Sequence, residues 1–261
     1  MLKVSINYHF HDNDSPLLKE AAALYLSEIS PTLRLELLSR WCGFSTLVSF
    51  RTALSSQTEK DIYLVLDTVA ARTFAETRGI LLDASACHHT LTSAAFAKVA
   101  REHPHLHGDG YGRHSAYVLD HERREIQKTL PAAEVGRAIF ALRENRFEKG
   151  RTELLTVRKS DEFIRALALC SALTPIKTVN RKHSSYNLKH RAEERSYTLE
   201  GGAVLPHQYV SNSSLIAAAF YAGFETDADR RENNFSSPNI NFNISQRSLN
   251  AAIEKAPKED A

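Results

Sequence analysis

The sequence predicts a mainly helical α+β protein with a small mixed or antiparallel sheet, and three observations carry that expectation. Apolar residues recur at helical spacing through much of the chain, Gly or Pro closes most of those runs, and the stretches Leu2 to Phe10 and Asn239 to Ile244 alternate strictly. A chain of 261 residues, 43% hydrophobic and 25% charged, is long enough to bury a full core. Its 10 Gly and 8 Pro show no repeat, which excludes collagen-like architectures.

In chain order, Leu2, Val4, Ile6, Tyr8 and Phe10 alternate with polar residues as in a half-buried strand, ended by His11-Asp12-Asn13-Asp14. Ser15 as cap and Pro16 at the first turn start a helix with Leu17, Leu18, Ala21, Leu24, Tyr25 and Ile29 on one face, stopped before Pro31. A second helix, about Thr32 to Cys42, ends at Gly43, and Ser45 or Thr46 caps a third. Ile62, Val65, Leu66, Val69, Ala70 and Phe74 predict a helix over Thr58 to Arg78, and another covers Ser93 to Glu102, closed by Pro104. His103 to Arg113, with Gly108, Gly110 and Gly112, reads as a loop, and Tyr117 to Leu130 as either a hairpin or a charged helix. Lys149-Gly150 marks a turn before a strand at Thr152 to Val157. Ser160 starts a helix through Phe163, Ile164, Leu167 and Cys170. The last ninety residues hold a basic helical segment, a Gly201-Gly202 turn, a small apolar helix from about Ser213 to Ala222, and the strand at Asn239 to Ile244. Ser245 caps a final helix before a charged tail from Lys255 to Ala261. A boundary near Leu130-Pro131 divides the chain into a helical N-terminal domain with an edge strand (1-130) and an α+β C-terminal domain (131-261) carrying the basic segment.

The longest apolar stretch, Leu215 to Ala222, is far short of the roughly 18 to 20 residues that cross a bilayer, so no membrane partner is expected. The N-terminus lacks the apolar core of a secretory signal, and Cys42, Cys87 and Cys170 are odd in number and widely spaced. Both features predict a cytoplasmic protein. The formal net charge of +2 is too small to make the whole surface a polyanion trap, so any nucleic-acid site must be local.

Such a site is present in outline between residues 177 and 195, where Lys177, Arg181, Lys182, Lys189, Arg191 and Arg195 face only Glu193 and Glu194. His183, Tyr186 and His190 are interleaved, offering cations to phosphates and a ring to a base or sugar. Five phosphate contacts would give a log-log salt slope of about −4 to −5.

The order of residues here, Lys177-Thr178-Val179-Asn180-Arg181-Lys182-His183-Ser184-Ser185-Tyr186-Asn187-Leu188-Lys189-His190, followed by Tyr209-Val210-Ser211-Asn212, Leu215-Ile216-Ala217-Ala218-Ala219 and Ala222-Gly223-Phe224, resembles a loosely defined family of proteins on bacterial plasmids and integrative mobile elements. The resemblance spans about residues 175 to 250, with Ser213 where relatives often have Gly. It implies a mobile-element accessory protein with no catalytic residues to carry over. Two Gly-Phe turns, Gly43-Phe44 and Gly223-Phe224, follow short helices with a small residue four positions before the Gly, Ser39 and Ala219, a spacing shared by helix-turn-helix units and ordinary helix pairs.

Seven of the twelve His lie between 88 and 121. The run His103-Pro104-His105-Leu106-His107-Gly108-Asp109-Gly110-Tyr111 partly resembles the signature loop of Fic nucleotidyl transferases, which would make His103 a base and Gly108 and Gly110 a phosphate cradle. It departs from that loop at His107, where an acid should hold magnesium, at Asp109 in place of Asn, and at Tyr111 in place of Arg. A metal site would draw on Cys87, His88 or His89 with His103, His105 or His107. Hydrolase and nucleotide-binding fingerprints are absent. The expectation is therefore a non-enzymatic accessory protein binding a DNA or RNA backbone through residues 177 to 195, with no catalytic residue, metal or cofactor assigned. The alternative is an inhibitor of transfer or host defence machinery, acting by protein contact through an apolar patch beside Tyr209 and Phe235.

Overall fold

The computed structural model describes residues 1–56, 60–113, 115–156, 160–226 and 237–255. The protein is a mainly helical α+β fold with a few small sheets. The N-terminal alternation places Leu2, Ile6, Tyr8 and Phe10 in the interior, and the extended segment pairs at both ends. Strand β1 (Leu2–Lys3) runs parallel to β6 (Tyr197–Thr198), which takes β7 (Val204–Leu205) antiparallel on its other side, with Leu2 opposite Tyr197 and Tyr197 opposite Leu205. Strand β2 (His9–Phe10) pairs antiparallel with β3 (Ile62–Tyr63). The first sheet joins the two halves of the chain, and one connected core runs from Leu2 to Ala252, so packing crosses the 130/131 boundary.

Helices α1 (Ser15–Tyr25), α2 (Pro31–Trp41) and α3 (Leu47–Ser55) occupy the expected stretches, but Asp14 rather than Ser15 stands at the cap position of α1, and α1 ends at Tyr25, short of Ile29. Thr46 caps α3 by accepting from the Ser49 N–H, while Ser49 Oγ accepts from the Thr46 N–H. Both Gly-Phe turns close the same way. Gly43 and Gly223 have positive φ, Phe44 N–H donates to the Ser39 carbonyl, and Phe224 N–H donates to that of Ala219.

The helix expected over 58–78 is a shorter helix preceded by a strand. Within the described residues Ile62–Tyr63 form a strand, Leu64 to Leu66 belong to no helix, and α4 (Thr68–Thr77) is capped by Asp67, whose carboxylate accepts from the Ala70 N–H; Thr58 lies outside them. The helix expected from Ser93 is α5 (Ala84–Glu102), nine residues longer at its start and buried on nearly all sides. The loop 103–113 is a hairpin of β4 (Leu106–His107) and β5 (Gly110–Tyr111). Residues 117–130 resolve to a helix, α6 (Asp120–Thr129).

No turn interrupts Lys149-Gly150, and no strand occupies the described residues 152–156; α7 (Ala132–Thr156) runs through both, while Val157 lies outside the described set. Gly150 is a packing site, because a Cβ there would stand 3.1 Å from the Gly108 backbone nitrogen of the hairpin. Helices α8 (Ser160–Ser171) and α10 (Asn212–Tyr221) are buried almost all round, as central helices must be when no face is polar. Rings join the layers: Phe96 of α5 meets Phe163 of α8 edge-on at 5.2 Å, and Phe163 meets Tyr221 of α10 at 6.2 Å. Helix α9 is Ser185–Glu193 and α11 is Gln246–Lys255; the tail beyond Lys255 lies outside the described residues. Between them, Ile240, Phe242 and Ile244 are buried as expected, but the segment forms isolated bridges to Pro175, Ser184 and Thr226 rather than a continuous ladder.

Candidate nucleic-acid interface

The basic stretch divides into an exposed loop and a largely self-neutralised helix. The loop runs from α8 to α9 along residues 240–244: Ile176 N–H donates to the Asn243 carbonyl, Asn180 N–H to Phe242, and Ser185 N–H to Ile240. Asn180 Nδ2 adds a bond to the Ile244 carbonyl, and His183 Nε2 donates to Gln246 Oε1 at 2.7 Å. These ties satisfy the inward side of the loop and leave Lys177, Arg181 and Lys182 exposed.

Along α9 the charges close on one another. Lys189, expected at the phosphate face, is only 5% exposed and donates to Glu193 Oε1 at 2.8 Å. His190 Nδ1 lies 2.6 Å from the other oxygen of Glu193, and Val210 N–H donates to Oε1 at 3.1 Å. Burial would raise the Glu193 carboxyl, but these hydrogen bonds and the Lys189 charge hold it below its ordinary value. Arg191 pairs with Glu194 at 3.4 Å and is half-buried. Arg195, also expected at the phosphate face, is 2% exposed, and its guanidinium donates to the Arg191 carbonyl in the last turn of α9. Lys189 and Arg195 therefore belong to the interior and cannot meet a phosphate without leaving it.

The fold also brings in a residue that the basic stretch does not contain. The Lys189 ammonium sits 5.1 Å from the ring centre of Tyr186 and 4.9 Å from that of Tyr209, and both rings are exposed. Tyr186 is braced edge-on by His190 at 4.7 Å. Tyr209 belongs to the Tyr-Val-Ser-Asn run of the mobile-element resemblance, the one sequence signal that could have linked it to Tyr186. Phe235, its expected companion in a protein-docking patch, lies outside the described residues.

The histidine-rich stretch is structural in the described residues. Asn212 Nδ2 donates to the Asp109 and Pro238 carbonyls, and a Cβ on Gly110 would stand 2.2 Å from the Pro238 oxygen. The glycine backbone that would have cradled phosphates is thus packed against the protein itself. His107 is buried and bonded to Ser115 Oγ at 3.0 Å, and His103 stacks on Phe220 at 3.9 Å. Arg151 of α7 locks the base of the hairpin by donating to the carbonyls of Ala100, His103 and Leu106.

The residues considered for a metal site have separate partners. His88 Nε2 donates to the Glu200 carbonyl and Nδ1 lies 3.2 Å from the Tyr8 hydroxyl; His89 faces Asp161 at 3.3 Å. Burial lowers the pKa of His88, His89 and His107 and raises the Cys87 thiol to about 12. Among the described residues the group that could share an ion is His11, Asp14 and Asp61. The Lys98 ammonium already stands there, 2.5 Å from Asp61 and 3.5 Å from the fully buried Asp14, and Arg101 adds a bond to Asp14.

Among the described residues no helix is long and apolar enough to cross a membrane. No known family model, curated protein or solved structure matches this chain.

Proposed function

We propose that this chain is a non-enzymatic accessory protein of plasmids or integrative elements that binds nucleic acid through phosphates, with Lys177, Arg181 and Lys182 as the contacting cations. The observation that supports the reading is the exposure of all three on one loop whose inward side is tied to residues 240–244. A tethered loop holds its cations in place, so a phosphate chain meets them with little ordering cost. The half-buried Arg191 lies on the following helix, while Lys189 and Arg195 are committed to Glu193 and the chain's own carbonyls.

Three phosphate contacts give a log-log salt slope of about −2 for a single strand and about −3 for a duplex, well short of the slope expected from the whole basic segment. Anisotropy titration of labelled DNA and RNA at two salt concentrations tests this. Binding at low salt that weakens with that slope, and that a Lys177→Ala, Arg181→Ala, Lys182→Ala variant abolishes, is the expected result. No binding at low salt removes the proposal.

A further inference from the structure

We infer that the site selects unpaired bases: Tyr186 and Tyr209 form a preorganised stacking platform for single-stranded nucleic acid beside the cationic loop. This rests on the phosphate-binding reading above and adds to it the class of nucleic acid and a residue outside the basic segment.

The two tyrosines come from different elements, one in the first turn of α9 and one in the segment before α10, yet they bracket a single ammonium. Lys189 lies over both rings and His190 packs edge-on against Tyr186, yet Tyr186 is 48% and Tyr209 62% exposed. The ammonium between them is neutralised by Glu193, which is itself held by His190 and by the N–H of Val210. That last bond pins the residue directly after Tyr209, so the loop carrying the ring is anchored before any ligand arrives. The carboxylate of Glu193 at the base of the platform is thus paired rather than turned toward a phosphate chain.

The chemistry around the rings favours nucleic acid over an apolar protein surface. In the sequence Tyr186 follows Arg181, Lys182 and His183 by three to five positions and precedes Asn187, and Tyr209 follows His207 and Gln208. Exposed rings set among cations and amides match the stacking-plus-backbone pattern of single-strand binders. A base in a duplex has both faces covered by its neighbours and cannot reach such a ring, whereas an unpaired base can. Cations on the loop then act on the backbone of either form, and the rings act on the single strand alone.

The test uses the full chain with short labelled oligo(dT), oligo(U) and a duplex of equal length, read by anisotropy at two salt concentrations. Single strands of either sugar are expected to bind at least about tenfold tighter than the duplex. Tyr209→Ala should weaken single-strand binding by about 5- to 150-fold, leave duplex binding and the salt slope unchanged, and be rescued by Tyr209→Phe, which keeps the ring. A thermal melt of each variant confirms the fold, which a mostly exposed ring should not disturb. Equal affinity for duplex and single strand, or an unchanged affinity in Tyr209→Ala while the loop-cation variant loses binding, overturns the platform and leaves the phosphate reading standing. Failure of every probe to bind at low salt removes both.

Discussion

Replacing Lys189 with Met separates the charges that would read phosphates from those that hold the fold. Methionine keeps an apolar stem of the same length as far as Cε and removes the ammonium that stands between the rings of Tyr186 and Tyr209. The ammonium lies 2.8 Å from Glu193, and its removal leaves that carboxylate with His190 and the Val210 N–H. Breaking a fully buried pair costs about 3 to 5 kcal/mol; with two partners remaining on Glu193 the loss should fall near about 2 to 3 kcal/mol. For a chain of this size that corresponds to a fall in Tm of about 4 to 8 °C. The salt slope of nucleic-acid binding should not change, because a group 5% exposed has no phosphate to release. Lys182→Ala should do the reverse, reducing the slope by about 0.7 to 0.9 with no change in melting. Circular dichroism melts and salt-dependent anisotropy on the two variants give all four numbers. If Lys189→Met melts like the parent and flattens the salt slope, the ammonium faces solvent and the assignment of α9 as self-neutralised is wrong.

Other consequences are as direct. Gly110→Ala should destabilise by more than about 3 kcal/mol in urea unfolding, since its Cβ would collide with the Pro238 oxygen; a loss within about 0.5 kcal/mol would refute the packing of the hairpin. Lys98→Met leaves Asp14 and Asp61 without their shared ammonium and should cost about 3 to 5 kcal/mol, an effect that Asp61→Asn in the same chain partly relieves. Tyr8→Phe deprives His88 Nδ1 and Thr92 of a partner in the core and should cost about 1 to 3 kcal/mol by the same assay. Acid should weaken the fold in two stages. Burial keeps the pKa of His88, His89 and His107 below the unfolded value of about 6.5, so their contribution is complete above that pH and fades as pH falls through their folded values, at up to about 1.4 kcal/mol per unit each. Asp61 and Glu193, held below the ordinary carboxylate range, add a second loss below about pH 4; stability that stays flat from pH 7 to 4 would contradict the first stage, and stability that stays flat below about pH 4 the second.

Much of the fold is legible wherever local chemistry decides it. Thr46 reads as a cap because a threonine before an apolar run satisfies an orphan N–H, and both Gly-Phe turns read as stops because Gly takes positive φ without strain. The alternation of Ile240, Phe242 and Ile244 survives even without a continuous ladder, since burial of one face is what the pattern encodes. Errors arise where a residue type serves two ends. Gly150 reads as a turn, yet its lack of a Cβ is used to let α7 approach the hairpin. Ile62, Val65, Leu66 and Val69 fit one helix by spacing, but Ile62–Tyr63 pair with β2, a partner more than fifty residues away, and the helix starts only at Thr68. The candidate site divides along the same line. The i,i+4 and i,i+3 relation of Lys189 and His190 to Glu193 is written in the sequence and already implies mutual neutralisation on a helix. That Tyr209 arrives on the far side of Lys189 depends on how α10 packs against α9, which no local pattern records.

The parallel pairing of β1 with β6 governs when the molecule can be finished. Leu2 must wait for Tyr197, and among the described residues nine helices separate them, so during synthesis the first strand stays unclaimed until most of the chain has emerged. Leu2 and Ile6 then remain apolar and uncovered for much of translation, and a mutation that weakens β6 would be felt as poor yield from the ribosome before it registered as a lower melting point.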